Sequence, residues 1–410
     1  MARTVASLPA GSRLTDYISL GVLSSANQRD RADAVLTSTG KKSLRQRDLP
    51  AHVVVYYVVA LALFMQSSYR EVLRCLLEGL DWLRGPAETI HIAGKSGISQ
   101  ARTRLGSEPL RLLLQEIAMP IGLKRTRGAW YRTWRLVSLD GSTLDVADTV
   151  ENVKAFGRPS ASRGSSAYPQ LRFVSLLENG THVLFGAKVD GCGVSEMALA
   201  KDVVTGLTPE MLCLADRYFY SSELWSKATA TGAKLVWRVR KNMRLECLER
   251  LADGSYRSAA YSGETDWRHK TNGIPLRVID YQLKGVRDAE PLYRLVTNIM
   301  TPSEAPAEEL AALYPGRWGI ETVFDELKTH LRGARIVLRS KTPELVRQEF
   351  YGLLLAHFAI RSLMHQAALG SDIAPRDVSF IHAVHVVRRK LPRWAAIPPS
   401  GKKKTSSRHP

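Results

Sequence analysis

Apolar positions along this chain keep helical spacing at first, then switch to strand patterns, then return to helix. Pro50 opens an apolar run that reaches Met65. From Tyr69 to Leu83 the apolar residues Val72, Leu73, Leu76, Leu77 and Leu80 recur three and four apart, the spacing of one helix face. The stretch S-G-I-S-Q-A-R-T-R-L-G, 96–106, follows, with Ser96 or Ser99 as an N-cap and Gly106 as a stop. Residues 1–125 therefore read as an all-helical domain.

From Trp134 the pattern is that of strands. Leu136–Leu139 is a short apolar run ending at Asp140. Arg172–Glu178 and Thr181–Val189 alternate around Asn179-Gly180, the strongest short hairpin signal. Val194–Val204 reads as a helix, Met211–Ala215 as a strand ending at Asp216, Glu223–Thr229 as a helix and Lys234–Val239 as a strand. Hairpin-linked strands followed by alternating helix and strand give an α/β mixed sheet flanked by helices, an order that many α/β folds share. Residues 241–300 break the alternation. A-D-G-S at 252–255 is a hairpin turn, and Leu276–Tyr281 and Tyr293–Ile299 read as strands of a β-rich insertion. Helical spacing resumes at Ala307, and Thr342–Ala368 reads as a long closing helix with Pro343 in its first turn. The Gly-, Ser- and Pro-rich stretch 154–170 reads as a flexible loop, and its Lys154, Arg158 and Arg163 suit either a phosphate backbone or incidental surface charge. No internal repeat is visible.

Charge narrows the class. The 410 residues carry 58 basic and 39 acidic side chains, a formal net charge of +19. Such an excess points to a polyanionic partner, most simply nucleic acid. Gln100, Arg102 and Arg104 then make the 96–106 helix a candidate DNA reader, the alternative being a solvated face of a helical bundle. The segment after Asp377 contains no acid, and its end, 388–410, reads as a basic flexible tail. The four cysteines, Cys75, Cys192, Cys213 and Cys247, have neither zinc-site nor disulfide spacing. No apolar run is long enough to span a bilayer, and no secretory core is present at the start. Those features together give the expectation of a soluble, cytoplasmic protein.

The most informative segment is Y-P-G-R-W-G-I-E-T-V-F-D-E-L-K, Tyr314 to Lys328. On an α-helix at ~100° per residue, Arg317, Glu321 and Lys328 fall within ~40° of one line. Ile320, Val323, Phe324, Leu327 and Leu331 form an adjoining apolar arc that buries against a core. Tyr314, Arg317, Glu321 and Lys328, together with R-L-V-S-L-D-G-S around Asp140 and M-L-C-L-A-D-R-Y-F around Asp216, resemble the bacterial insertion-sequence transposases of family four. These belong to the DDE superfamily and carry a Tyr-Arg-Glu-Lys signature. The separations, 216 − 140 = 76 and 321 − 216 = 105 residues, fit that pattern, as does a β insertion before the Glu. The resemblance spans roughly residues 10–370.

It implies an RNase H-like catalytic domain over 134–370, interrupted by the insertion at 241–300 and preceded by a DNA-end-binding domain at 1–125. It implies cleavage and strand transfer on double-stranded DNA, at inverted-repeat ends and at a target, by a homo-oligomer in the nucleoid. It also implies the catalytic and metal-holding triad Asp140, Asp216 and Glu321. Two Mg²⁺ ions, or Mn²⁺, would activate an oxygen nucleophile and stabilise the leaving oxygen. Hard cations prefer carboxylate oxygens, which is why three carboxylates on rigid elements are needed. Asp140 is expected to bridge both ions, with Asp216 and Glu321 holding one each. Arg317 and Lys328 would hold a DNA phosphate, Tyr314 would reach one by its hydroxyl, and Trp318 would stack on an unstacked base. Trp267 is a second stacking candidate. Asp145 and Asp148 read as turn or cap residues, Asp325 as a residue one turn below Glu321, and Glu326 as lying off the row. Two other readings stay open at this stage: a DNA-binding relic without activity, and an RNase H-like nuclease without strand transfer.

Overall fold

A computed structural model of the chain describes residues 26–43, 49–74, 76, 94–159, 168–282, 290, 292–333, 337–371 and 373–393. Among the described residues before the sheet, the helices used below are α1 (Ala26–Ser38), α2 (Ala51–Leu63), α3 (Lys95–Leu105) and α4 (Glu108–Ile117). Nearly every residue of α2 is apolar, and Val53 through Leu63 are all buried. Such a helix must be surrounded by protein. Its neighbour is α11 (Pro343–Leu369), the long closing helix expected from Thr342 onward. One apolar core runs from α2 and α4 through α11 to the sheet.

Ten strands form one sheet in the order β4-β3-β2-β5-β6-β10-β9-β8-β7, with β1 (Trp130–Tyr131) paired to β2. Here β2 is Trp134–Asp145, β3 Gln170–Glu178, β4 Val183–Gly191, β5 Met211–Ala215 and β6 Lys234–Arg238. The remainder are β7 (Glu249–Arg250), β8 (Tyr256–Ala260), β9 (Ile274–Tyr281) and β10 (Tyr293–Thr297). β2, β5 and β6 are parallel; β2–β3, β3–β4 and every pairing from β6 to β7 are antiparallel. All five residues of β5 are buried, as a central parallel strand covered on both faces requires. Side chains alternate between faces. Val137, Leu139, Cys213, Ala215 and Trp237 pack under α6 (Glu196–Val203) and α7 (Ser222–Thr229), while Leu136, Leu212, Leu214 and Val236 face the other way. Three further helices complete the elements used below: α5 (Val150–Phe156), α8 (Glu264–His269) and α9 (Ala307–Leu313).

Several expectations change here. The segment at 241–300 is not an appendage: β10 hydrogen-bonds along β6, so its strands continue the central sheet. The expected two-residue Asn-Gly turn is a four-residue loop, 179–182, because Glu178 pairs with Val183. Gly180 is needed there for room rather than for an unusual φ. A Cβ on it would stand 2.3 Å from the Ala129 nitrogen. Neither Ser96 nor Ser99 caps α3; Gly94 does, without a side-chain bond, while Gly106 does end it at φ 72°. Lys154 belongs to α5, and Arg158 pairs with Asp148; residues 160–167, including Arg163, lie outside the described residues. Helix α12 (Phe380–Arg393) takes up the start of the supposed tail, and Arg388 donates to the carbonyls of Leu63 and Leu331. Residues 394–410 and 77–93 lie outside the described residues. Among the described residues, no helix is long and apolar enough to cross a membrane.

Candidate active site

The parallel register of β2 on β5 brings the two aspartates together. The last pair is Leu139 with Ala215, so Asp140 and Asp216 are the next residues on neighbouring strands. β5 ends there because Asp216 accepts the Tyr218 backbone N–H at 2.7 Å and its carbonyl accepts that of Phe219, which turns the chain out of the sheet. β2 does not end at Asp140 as expected. It continues to Asp145 because β3 still pairs with it, Asp140 lying opposite Ser175.

The signature segment delivers the third carboxylate, though not on a uniform helix. Tyr314–Trp318 is 3₁₀, α10 (Gly319–Asp325) is α-helical, and Glu326–Leu331 is a π-turn. Pro315 suits the tight start, having no N–H to satisfy. The 3₁₀ turn winds more tightly than an α-helix and the π-turn more loosely, so the single row expected from constant 100° steps is replaced by a bent one. Asn179, from the β3–β4 loop, accepts from Ser138 at 2.9 Å and donates to the Gly316 carbonyl at 3.0 Å, which ties this turn to β2.

Arg317 is the hub. It is only 7% exposed, yet its Nη1 donates to Asp140 Oδ2 at 3.1 Å and its Nη2 to Glu321 Oε1 at 3.0 Å. Its Nε has no hydrogen-bond partner. Expected to hold a DNA phosphate, it here links two of the three carboxylates. Glu321 remains 56% exposed at its side chain and open to a ligand. Burial pushes the Asp140 carboxyl up to about 6. The Gly141 N–H and Arg317 oppose that rise, and the charges of Asp216 and Glu196 add to it.

Tyr314 requires a correction. It is buried, and its hydroxyl donates to the Ala215 carbonyl at 3.3 Å, so in this conformation the group meant to reach DNA is spent on holding β5. Trp318 is 63% exposed beside the site, with its ring free for stacking. Lys328 is half-buried in the π-turn, within electrostatic reach of Asp145, Asp325 and Glu196. Trp267 sits on α8 near the far strands of the sheet, its ring covered by Arg244 at 4.9 Å and Lys270 at 4.5 Å. Asp325 bonds Thr329, and Asp145 accepts from Gln170. Glu326 is buried on Arg361 and His357, away from the acidic group. Arg102 cannot read bases: it is buried and bonded to Gln348 at 2.7 Å and Ser340 at 3.0 Å.

The sequence reading missed Glu196. It lies in the first turn of α6, behind the Ser195 cap. A Cβ on Gly141 would stand 2.6 Å from its carboxyl carbon, so the Glu196 carboxylate lies against the backbone next to Asp140. The signal was present in V-S-E, a capped helix start, but an acid there usually serves the helix dipole alone. Four carboxylates thus surround one backbone turn. Their hard oxygens and unbalanced charge fit a divalent cation. Among the described residues, no three acidic, His or Cys side chains already gather tightly enough to hold one. Arg317 stands between Asp140 and Glu321.

Against known families, residues 17–115 match the model described as Insertion element 4 transposase N-terminal, and residues 134–359 match Transposase DDE domain. The transposase InsG for insertion sequence element IS4, of Escherichia coli K12, is 29% identical over 362 residues, covering 87% of this chain and 79% of its own. The protein InsZ of the same strain is 27% identical over 217 residues, 52% of this chain and 70% of its own. Among solved structures, the piggyBac transposase synaptic complex with hairpin DNA aligns at 13% identity and a TM-score of 0.46, over 95% of this chain and 84% of that one.

Proposed function

The chain belongs to the DDE transposases of the IS4 insertion-sequence family, divalent-metal-dependent enzymes with an RNase H-like fold, and from that premise we propose that it cuts the inverted-repeat ends of its own element and joins them to target DNA. One observation carries this reading. Asp140 and Asp216 stand in register on adjacent parallel strands, and Arg317 joins Asp140 to Glu321 across the opening.

Asp140, Asp216 and Glu321 would hold two Mg²⁺ ions, or Mn²⁺, with Glu196 beside them. When bound, the ions supply an activated oxygen nucleophile and neutralise charge at the leaving oxygen. Arg317 releases its carboxylates to the metal and turns its guanidinium to the scissile phosphate, which it grips in a fork. Lys328 adds a point charge on the same side. Trp318 stacks on a base drawn out of the helix. Tyr314 serves by fixing the strand that ends at Asp216. Joining two ends requires at least two copies on the DNA, which makes a homo-oligomer the working form, in the cytoplasm where the chromosome lies. Light scattering of the protein mixed with repeat DNA reads that state directly, and a strict monomer would refute it.

The test is Mg²⁺-dependent cleavage of a duplex carrying the repeats that flank this gene. Wild type is expected to cut at the repeat ends and to join them to a plasmid. Asp140→Asn, Asp216→Asn and Glu321→Gln are each expected to bind the duplex and lose cutting, by more than the roughly 100-fold that even a supporting residue costs. Wild-type-like cutting by any of the three would remove that residue from the site. In the same assay, Trp318→Ala is expected to slow strand opening at the cut; unchanged rates would end its stacking role.

A further inference from the structure

A second cleft, largely apolar in its exposed lining and basic at its rim, lies apart from the carboxylates. The first turns of α3 and α11, the strap 339–341 and Tyr69 enclose a cleft of about 600 Å³. Arg70, Lys95, Arg102, Arg339 and Lys341 line it. Arg70, Lys95 and Lys341 stand exposed at its rim, and among the described residues none has an ion-pair partner. Deeper, Arg339 lies 4.6 Å over the Tyr69 ring and Arg102 lies 5.7 Å from it. The buried Glu349 offsets one of these charges, 3.9 Å from Arg102. Arg339 donates by Nη1 to the Ser67 carbonyl, but its Nε and Nη2 are closed off from solvent without any partner.

Two helices begin in this cleft. α3 starts after Gly94 and α11 after Thr342, and neither start receives a side-chain cap. The positive ends of an 11-residue and a 27-residue helix thus lie at the same cleft as the cations, although Pro343 removes one N–H and Glu344 adds an acid at the start of the longer one. Uncapped N-termini joined by guanidinium and ammonium groups make an anion site, and phosphate oxygens fit it best.

The strap also joins this site to the strand that carries Asp140. Leu338 bridges Val146, just past the end of β2, and its carbonyl accepts the Ala147 N–H. Arg339, Ser340 and Lys341 follow directly into the cleft. Lys328 and Arg332, both within electrostatic reach of Asp145, place positive charge near the same end of β2.

We propose that this cleft grips the phosphate backbone of duplex DNA away from the scissile phosphate, without reading sequence. The proposal rests on the transposase reading for its substrate and adds a second anchor remote from the chemistry. A rim of separate cations spread over two helices suits a continuous backbone better than a single free nucleotide.

The experiment uses the full-length protein with Ca²⁺ in place of Mg²⁺, so that DNA is bound and not cut. Fluorescence anisotropy of labelled duplexes, one carrying the terminal repeat and one unrelated, is recorded over a range of salt. The rim variant Arg70→Ala/Lys95→Ala/Lys341→Ala changes only exposed side chains, and Lys227→Ala/Lys241→Ala/Arg250→Ala, three exposed cations outside the cleft, controls for net charge. The rim variant is expected to bind both duplexes at least ~10-fold more weakly. Its salt slope should flatten by about 2 to 3, at ~0.9 per lost phosphate contact. Ethylation of at least one phosphate away from the cut should hinder wild type and not the variant. Wild-type affinity and slope in the rim variant would overturn the proposal. A mononucleotide that binds the cleft as well when DNA is present as when it is absent would overturn it too. No duplex binding by wild type would instead defeat the transposase reading beneath it.

Discussion

Two charged clusters sit on the same short helix and are built in opposite ways. At its start, Arg317 spans Asp140 and Glu321 at a site that solvent reaches through Glu321. Just beyond it, Glu326 is sealed among Arg361, His357 and the core, with His182 accepting from Arg361 at 3.1 Å. Burial works against the Glu326 charge, yet the His357 hydrogen bond and the Arg361 guanidinium prevail and hold its carboxyl below the usual range. At Asp140 burial wins instead, and the carboxyl rises to about 6. Both clusters pair an arginine with carboxylate; what differs is that both Glu326 oxygens are bonded inside the core, while Glu321 stays open to solvent. Where the carboxylate is sealed, charge anchors an element. Where it is left open, charge is kept for something that arrives later.

Breaking the closed cluster is expected to cost the most. Glu326→Ala leaves Arg361 buried and unpaired, which should lower stability by roughly 3–5 kcal/mol in urea unfolding. A loss under ~1 kcal/mol would show that the cluster does not anchor the helix. The open cluster should respond in function rather than in folding. Glu196→Gln is expected to raise the Mg²⁺ concentration for half-maximal cleavage by roughly 10- to 100-fold and to weaken Mn²⁺ binding in parallel, with metal-free DNA binding unchanged. Equal Mn²⁺ affinity in mutant and wild type would place Glu196 outside the metal's reach.

The smallest effect has the more telling sign. A carboxyl that titrates near 6 when folded and near 3.8 when unfolded favours the folded state only while protonated. That contribution is complete below pH ~3.8 and lost as pH rises through ~6. Asp140→Asn should therefore be more stable than wild type in EDTA at pH 8. The shift sets a ceiling of ~3 kcal/mol, and on the order of 1 kcal/mol is expected once Arg317 settles on Glu321 alone. The advantage should fade toward pH 4 in thermal melts. A variant less stable than wild type at pH 8 would mean that the Arg317 pair outweighs burial.

Much of this contrast was legible in the sequence, for identifiable reasons. Met211–Ala215 is an unbroken apolar run and Leu136–Leu139 is broken only by Ser138, a pattern that suits central strands buried on both faces, so the position of Asp216 and the neighbourhood of Asp140 could be read directly. The Tyr-Arg-Glu-Lys spacing located the third carboxylate. Tertiary contacts stayed hidden. Nothing local distinguishes a tyrosine that meets DNA from Tyr314, whose hydroxyl meets Ala215. Arg102 looked like a reader of bases because its partners, Gln348 and Ser340, lie more than 230 residues away. The continuation of β6 by β10 was invisible because pairing between distant strands leaves no periodic trace. Glu196 was overlooked because its significance depends on Gly141, a residue on another element.

The π-turn at Glu326–Leu331 has a consequence for inheritance. Such a turn holds one residue more per loop than an α-helix does, and it leaves its backbone bonds slightly out of step. Loss of a single codon there would let the helix regularise, because six residues at a π twist of roughly 82° turn about as far as five at ~100°. Side chains downstream would then keep their faces, and Leu331 would stay in the core. The irregular turn thus acts as a reserve of length. A deletion of one residue within it is expected to be absorbed, while one in the regular turn before it, Gly319–Asp325, is expected to rotate Leu331 out of the core.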